Sequence, residues 1–148
     1  MALLAEVCQA LGDTHRGAEL YELLRPYHAL NSHLSGVAFY GSVHHHLGGL
    51  ATLLSDPAAG ASHFEEALTT HNRMGARPWL ATTQHDFARM LLDHGEASDR
   101  DRALRLAGDA SATARELGLP GLAERVEALQ QEIQGAIPLR PRQRRSPR

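Results

Sequence analysis

The sequence predicts an all-α fold, an α-solenoid of about three helical hairpins closed by a C-terminal capping helix. Three observations lead there. Apolar residues recur at three- and four-residue spacing along most of the chain, as in helices that bury one face. Gly, Pro and Asp-Pro pairs punctuate the pattern at helix-length intervals. The stretch Gly41–Met74 reads as two antiparallel helices broken at Ser55–Asp56–Pro57, and such a pair must bury its apolar face on a neighbour. Ala and Leu dominate while aromatic residues make up only 5% of the chain, a balance that suits close helix packing better than a sheet.

Each element follows from local chemistry. Leu4, Val7/Cys8 and Leu11 predict a helix over 2–11. Gly12 suits its left-handed end and Asp13 can cap the next helix. That second helix, about 14–25, presents Gly17, Leu20/Tyr21 and Leu24, and Pro26 stops it. Residues 27–35 read as a loop or short helical turn. A third helix is expected from about Gly36 to Leu54, with Val37, Tyr40, His44, Leu47, Ala51 and Leu54 on one face. Asp56 as N-cap and Pro57 at the first position start the fourth, whose inner face carries Ala61, Phe64, Leu68 and His71 before Gly75. Arg77–Pro78 opens a fifth helix with Trp79, Leu80, Phe87, Ala88 and Leu91, ended by Gly95.

Ser98-x-x-Asp101 resembles a capping box ahead of a sixth helix striped with Ala103, Ala107, Ala110, Ala114 and Leu117. After Gly118–Leu119–Pro120 the last helix shows Leu122, Val126, Leu129 and Ile133, with Glu and Gln opposite. Such a polar outer face suits a terminal cap. The expected organisation is a helical domain over 1–133 and a disordered Arg/Pro-rich tail over 134–148.

Composition narrows the chemistry. All 15 basic residues are Arg, so a P-loop lysine, a Schiff-base lysine and a Ser-x-x-Lys nucleophile are excluded. Cys8 has no second cysteine to pair with, which fits a reducing compartment. Glu6 interrupts the apolar start of the chain, too early for a signal peptide or a membrane span. A cytoplasmic protein is expected. Arg140, Arg142, Arg144, Arg145 and Arg148 crowd the last nine positions, and removing them from the formal −2 leaves about −7 for residues 1–139.

The chain contains an internal repeat. Ala5, Gly17, Tyr21 and Leu24 align with Gly48, Gly60, Phe64 and Ala67 at an offset of 43, longer than the ~34 residues of a tetratricopeptide (TPR) unit that the central hairpin resembles. Residues 73–92, RMGARPWLATTQHDFARMLL, carry the sharpest likeness, with LGGLATLL before and ARELGLPGLAERVEAL after. Together they resemble the C-terminal helical-repeat region of large bacterial signal-transduction ATPases, among them LuxR-type transcriptional regulators and adenylate/guanylate cyclases with an ATPase core. The resemblance implies a sensor and interaction arm rather than a catalytic part. The chain has no nucleotide-binding loop, cyclase domain or DNA-binding helix-turn-helix, so it reads as a C-terminal fragment or remnant of such a protein.

Candidate sites are few. His44-His45-His46 invites a metal, but neighbouring helical residues point about 100° apart and cannot converge on one ion. By its spacing His44 belongs to the apolar face and the other two point outward or towards a neighbouring helix. His85–Asp86 offers a base beside an acid, yet adjacent helical positions do not face each other and no nucleophile accompanies them. Cys8 reads as a small core filler. No cofactor, metal site or catalysis is expected.

Arg73, Arg77 and Trp79 form the best interface patch, since Arg and Trp anchor interfaces, with packing of Trp79 between the fourth and fifth helices as the alternative. The first helix of each hairpin should line a concave groove offering His45, Thr52, Thr83, Gln84 and Arg89 to a protein or peptide segment. The expected function is therefore a non-enzymatic protein-interaction or sensor module of a bacterial regulator. The alternative is a nucleic-acid-associated regulator using the basic tail, although that tail lacks aromatics for stacking and the acidic body repels a polyanion.

Overall fold

In the computed structural model, which describes residues 1–34 and 38–135, seven α-helices follow one another around a small antiparallel sheet. Helix α1 (Ala2–Leu11) ends where Gly12 takes φ 65°, and the Asp13 carboxylate accepts the Arg16 N–H to cap α2 (Thr14–Leu24). A 3₁₀ turn over Arg25–Tyr27 leads to β1 (Asn31–Leu34), which pairs antiparallel with β2 (Ala38–Ser42). Then come α3 (Val43–Leu53), α4 (Pro57–Arg73), α5 (Arg77–His94), a 3₁₀ turn over Ala97–Asp99, α6 (Arg100–Glu116) and α7 (Pro120–Gly135).

The mostly helical expectation holds, with one substantial correction. A helix was expected from Gly36, but residues 38–42 form a strand and α3 starts only at Val43. The reason is local. Gly41 sits at φ 76°, a conformation no α-helix accommodates, and Ser42 then caps α3 by accepting the His45 N–H on its hydroxyl. Tyr40 happened to fall on the same apolar stripe as His44 and Leu47, which lent the strand a helical look. Residues 31–34, expected as loop or turn, are the other strand. Two paired strands, Asn31–Leu34 and Ala38–Ser42, thus stand where a loop and the start of a helix were expected.

Two smaller boundaries also move. The capping box is Glu96 with Asp99, whose carboxylate accepts the Glu96 N–H at 2.8 Å, rather than Ser98 with Asp101. Helix α7 continues through Gln134 and Gly135, which were assigned to the tail, and residues 136–148 lie outside the described residues.

The core has two parts. Ala5, Cys8, Leu20, Leu24, Val43, Leu47 and Leu50 join α1, α2 and α3. Phe64, Phe87, Met90, the alanine stripe of α6 and Leu122, Val126, Leu129 and Ile133 of α7 join the rest. Gly48 exists to let Phe64 in: a Cβ there would stand 2.8 Å from the phenyl ring, which stacks on Phe87 at 5.5 Å between centroids. Helices pack consecutively, and the odd-numbered ones also meet across hairpins, α1 on α3, α3 on α5 and α5 on α7. Surface ion pairs join neighbouring helices, Arg102 of α6 to Glu65 of α4 and Arg115 of α6 to Glu127 of α7, each worth at most about 1 kcal/mol.

Candidate functional site

Four odd-numbered helices side by side leave a cleft of about 320 Å³ between them, and its lining samples all four. Glu6 and Gln9 come from α1, His45 from α3, Trp79, Thr82 and Asp86 from α5, and Arg125 from α7. A second cleft of about 200 Å³ shares Gln9 and Asp86 with it and adds Gly49, Thr52, Leu53, Phe64, Arg89 and Met90. The two form one groove with a carboxylate at its middle, an apolar wall of Trp79 at one end and Phe64 and Met90 at the other.

Beneath the groove lies a buried polar network. The backbone N–H of Ser42 donates to His71 Nε2 at 2.9 Å, so that nitrogen carries no proton. His71 Nδ1–H therefore donates to Thr83 Oγ1 at 3.1 Å, and the single hydroxyl proton of Thr83 goes to His45 Nδ1 at 2.9 Å. His45 is left with its proton on Nε2, directed at Asp86 Oδ2 3.6 Å away, while His85 Nδ1 donates to Asp86 Oδ1 at 2.8 Å. Burial pushes the pKa of both His45 and His71 down to about 4, against a pull upward from Asp86 at His45. Both rings are neutral at pH 7, as the hydrogen-bond order requires. Thr–His–Asp is also the order of a nucleophile, base and acid. Thr83, however, is fully buried and both its partners are histidines, so its oxygen meets no substrate. The network ties the β-hairpin, α3, α4 and α5 together and presents only His45 and Asp86 to the groove.

Trp79 closes the network from above. Its ring lies against Gly41, where a Cβ would stand 2.9 Å from Cε3, and meets Tyr40, His45 and His46 edge-on. Tyr40 stacks on His46 and donates its hydroxyl to Glu6 Oε2 at 2.8 Å, joining hairpin to α1. His46 donates from Nε2 to the Tyr40 carbonyl.

A second histidine array runs along the other side. Tyr21 meets His63 Nε2 at 3.0 Å, His63 Nδ1 meets His44 Nδ1 at 3.0 Å, and His44 Nε2 meets His28 Nδ1 at 3.3 Å. Burial lowers the pKa of His44 and His63, His28 lowers both further, and His44 adds to the effect at His63. His44 spends its two nitrogens on partners at opposite ends of its ring, so the array does not converge on one point, and no set of three metal-ligating side chains occurs among the described residues.

The histidine triplet departs from expectation at His44, which is not in the core, while His45 reaches the neighbouring helix α5 as one of the two expected readings had it. His45 and His46 are buried, whereas His44 is only half-buried at the edge of α3. Within α3 the expected spacing holds, with Leu47 and Ala51 buried, and His44 lies in the first turn of the helix. The argument that His85 and Asp86 cannot meet also fails, because His85 Nδ1 lies 2.8 Å from Asp86 Oδ1. Of the remaining sequence candidates, Thr52 and Arg89 line the smaller cleft, and Arg89 also pairs with Glu132 on α7 at 2.9 Å. Thr83 is in the core, and Gln84 is half-buried with its Oε1 enclosed and unpaired. Arg73, Arg77 and Trp79 share no cleft. Arg73 borders a hollow of about 250 Å³ with His28, His44 and Glu66, and Arg77 pairs with Glu116 at 3.0 Å. Glu6, Gln9, Thr82, Asp86 and Arg125 were missed. Their signal was spacing: Thr82 and Asp86 are one helical turn apart, on the flank of the stripe carrying Phe87 and Leu91.

Comparison with protein-family models, with curated proteins and with solved structures found no match to this chain. No helix among the described residues is long and apolar enough to cross a membrane.

Proposed function

We propose that this chain is a TPR-like α-solenoid whose groove binds an extended peptide or a helix of a protein partner, acting as a non-enzymatic interaction or sensor arm of a cytoplasmic bacterial regulator. The observation that carries the reading is the lining of the 320 Å³ cleft by side chains from α1, α3, α5 and α7, the first helix of each successive hairpin and the terminal cap. In a stacked array those helices make the concave side. The likeness of residues 73–92 to the repeat region of signal-transduction ATPases supports the same assignment.

The groove's chemistry describes the ligand. Asp86 and Glu6 favour a basic or hydrogen-bond-donating side chain, Trp79 offers an apolar and cation-accepting ring, and Arg125 at the rim takes a carboxylate. With only a short array, affinity is modest, about −8 kcal/mol or micromolar. Selection of peptides from a displayed library against the purified chain tests this. Thr82→Arg with Arg125→Glu, both outside the buried network, should abolish capture of the selected peptides and leave the melting temperature in place. Undiminished capture by that variant removes the groove from consideration.

A further inference from the structure

The outer face of the first hairpin is apolar and exposed. Leu3, Leu4, Val7 and Leu11 of α1 are between 47% and 75% exposed, and Leu23 of α2 is 55% exposed. Between the two helices Leu4, Cys8, Leu20 and Leu23 line an open cleft of about 220 Å³, with Arg16 and Glu19 at its rim.

The internal repeat says what such a face is for. At the offset of 43, Leu3, Leu4 and Val7 correspond to His46, Leu47 and Leu50 of α3. Those three are wholly buried. Leu47 and Leu50 share one apolar cluster with Ala5, Cys8, Leu20 and Leu24, that is, with the hairpin stacked before them. Leu3, Leu4 and Val7, the counterparts of these covered positions, are bare in the first hairpin. On α7, by contrast, Glu124, Arg125, Gln131 and Glu132 are exposed.

We propose that the face formed by Leu3, Leu4 and Val7 is the docking site of one more helical hairpin of the same repeat, stacked on α1. Its chemistry is that of the hairpin covering Leu47 and Leu50: small residues on the first helix, and two leucines one turn apart on the second, as at Leu20 and Leu24. The proposal rests on the repeat reading above but not on the groove, which lies on another side. A second copy of this chain is the competing occupant, and it can offer only this same leucine face, because its own Ala5, Cys8, Leu20 and Leu24 already cover α3.

A tandem protein with an extra copy of residues 1–43 ahead of the full chain recreates the spacing between Leu4 and Leu47. It should melt roughly 5 °C or more above the parent, a scale set by the entropy of unfolding a domain of this size. Leu4→Glu with Val7→Glu in the inner copy should erase that gain, while the same pair in the parent shifts melting by no more than about 2 °C. A tandem protein that melts with the parent, or whose gain survives the pair, overturns the proposal. Two measurements on the parent stand apart from the tandem's own folding. By light scattering it should be a monomer, and a dimer dissolved by the Leu4/Val7 pair would place a second copy on this face and overturn the proposal. By hydrogen exchange α1 should be less protected than α3, and equal protection would show that the face needs no neighbour. Loss of peptide capture in the groove would change none of these results.

Discussion

Thr83 on α5 gives its hydroxyl proton to His45 on α3 across 2.9 Å while accepting one from His71 on α4. One buried oxygen therefore joins three helices. Thr83→Val keeps the shape and removes the oxygen, leaving two buried imidazole nitrogens without partners at roughly 1–3 kcal/mol each. Thr83→Ser keeps the bridge and should cost only about 1 kcal/mol for the lost methyl. Chemical denaturation of both variants checks this, and equal losses would mean that packing, not the hydrogen bonds, is what Thr83 supplies.

The same network makes folding sensitive to acid. His45 and His71 hold pKa values of about 4 against an ordinary 6.5. Above pH 6.5 both are neutral whether the chain is folded or not, so stability does not depend on them there. Between 6.5 and 4 the unfolded chain takes up protons that the folded one excludes, and stability falls as pH falls, by up to ~1.4 kcal/mol per pH unit for each ring. Protonated His71 would also lose its acceptor for the Ser42 N–H. Urea titrations across that window should show the decline, and a flat profile would mean that these rings are not buried neutral.

Gly41→Ala should destabilise by about 1–3 kcal/mol, because the position combines a left-handed backbone with a tryptophan ring against its Cα. Trp79 fluorescence should report the displaced ring in whatever fraction remains folded. An alanine variant with unchanged melting and emission would place Trp79 elsewhere.

Phe64→Ala should cost ~3–5 kcal/mol through lost burial and the cavity left between Gly48 and Phe87. Against a total stability of ~5–15 kcal/mol, much of the fold goes with it. Melting within a degree or two of wild type would refute the repeat register.

Much of this was readable in the residues. Phe64, the alanine stripe of α6 and the Leu122–Ile133 face sit in the core that their helical spacing demanded. Asp13 and Asp56 cap the helices that follow them. The β-hairpin was not readable by periodicity, because Phe39 and Tyr40 are at home in a strand while Tyr40 also continues a helical stripe. What overruled that stripe was one glycine at positive φ and one capping serine. The groove fared similarly. Its helices were legible, and α5 opens at Arg77 as expected; Thr83, four residues before Phe87 and eight before Leu91, lies on the buried stripe, which leaves Thr82 and Asp86 on its flank. The buried histidine network depends on contacts between residues up to 38 positions apart, such as His45 with Thr83, for which a single sequence carries no mark.

The central claim is that the odd-numbered helices bind a peptide along one groove. Amide chemical-shift mapping of the isotopically labelled chain, titrated with a peptide selected against it, tests that most directly. Saturable shifts at Gln9, Thr82, Asp86 and Arg125, with a Kd in the micromolar range at about −8 kcal/mol, are the predicted result. Shifts confined to α2, α4 and α6, or to residues beyond Gly135, would contradict it.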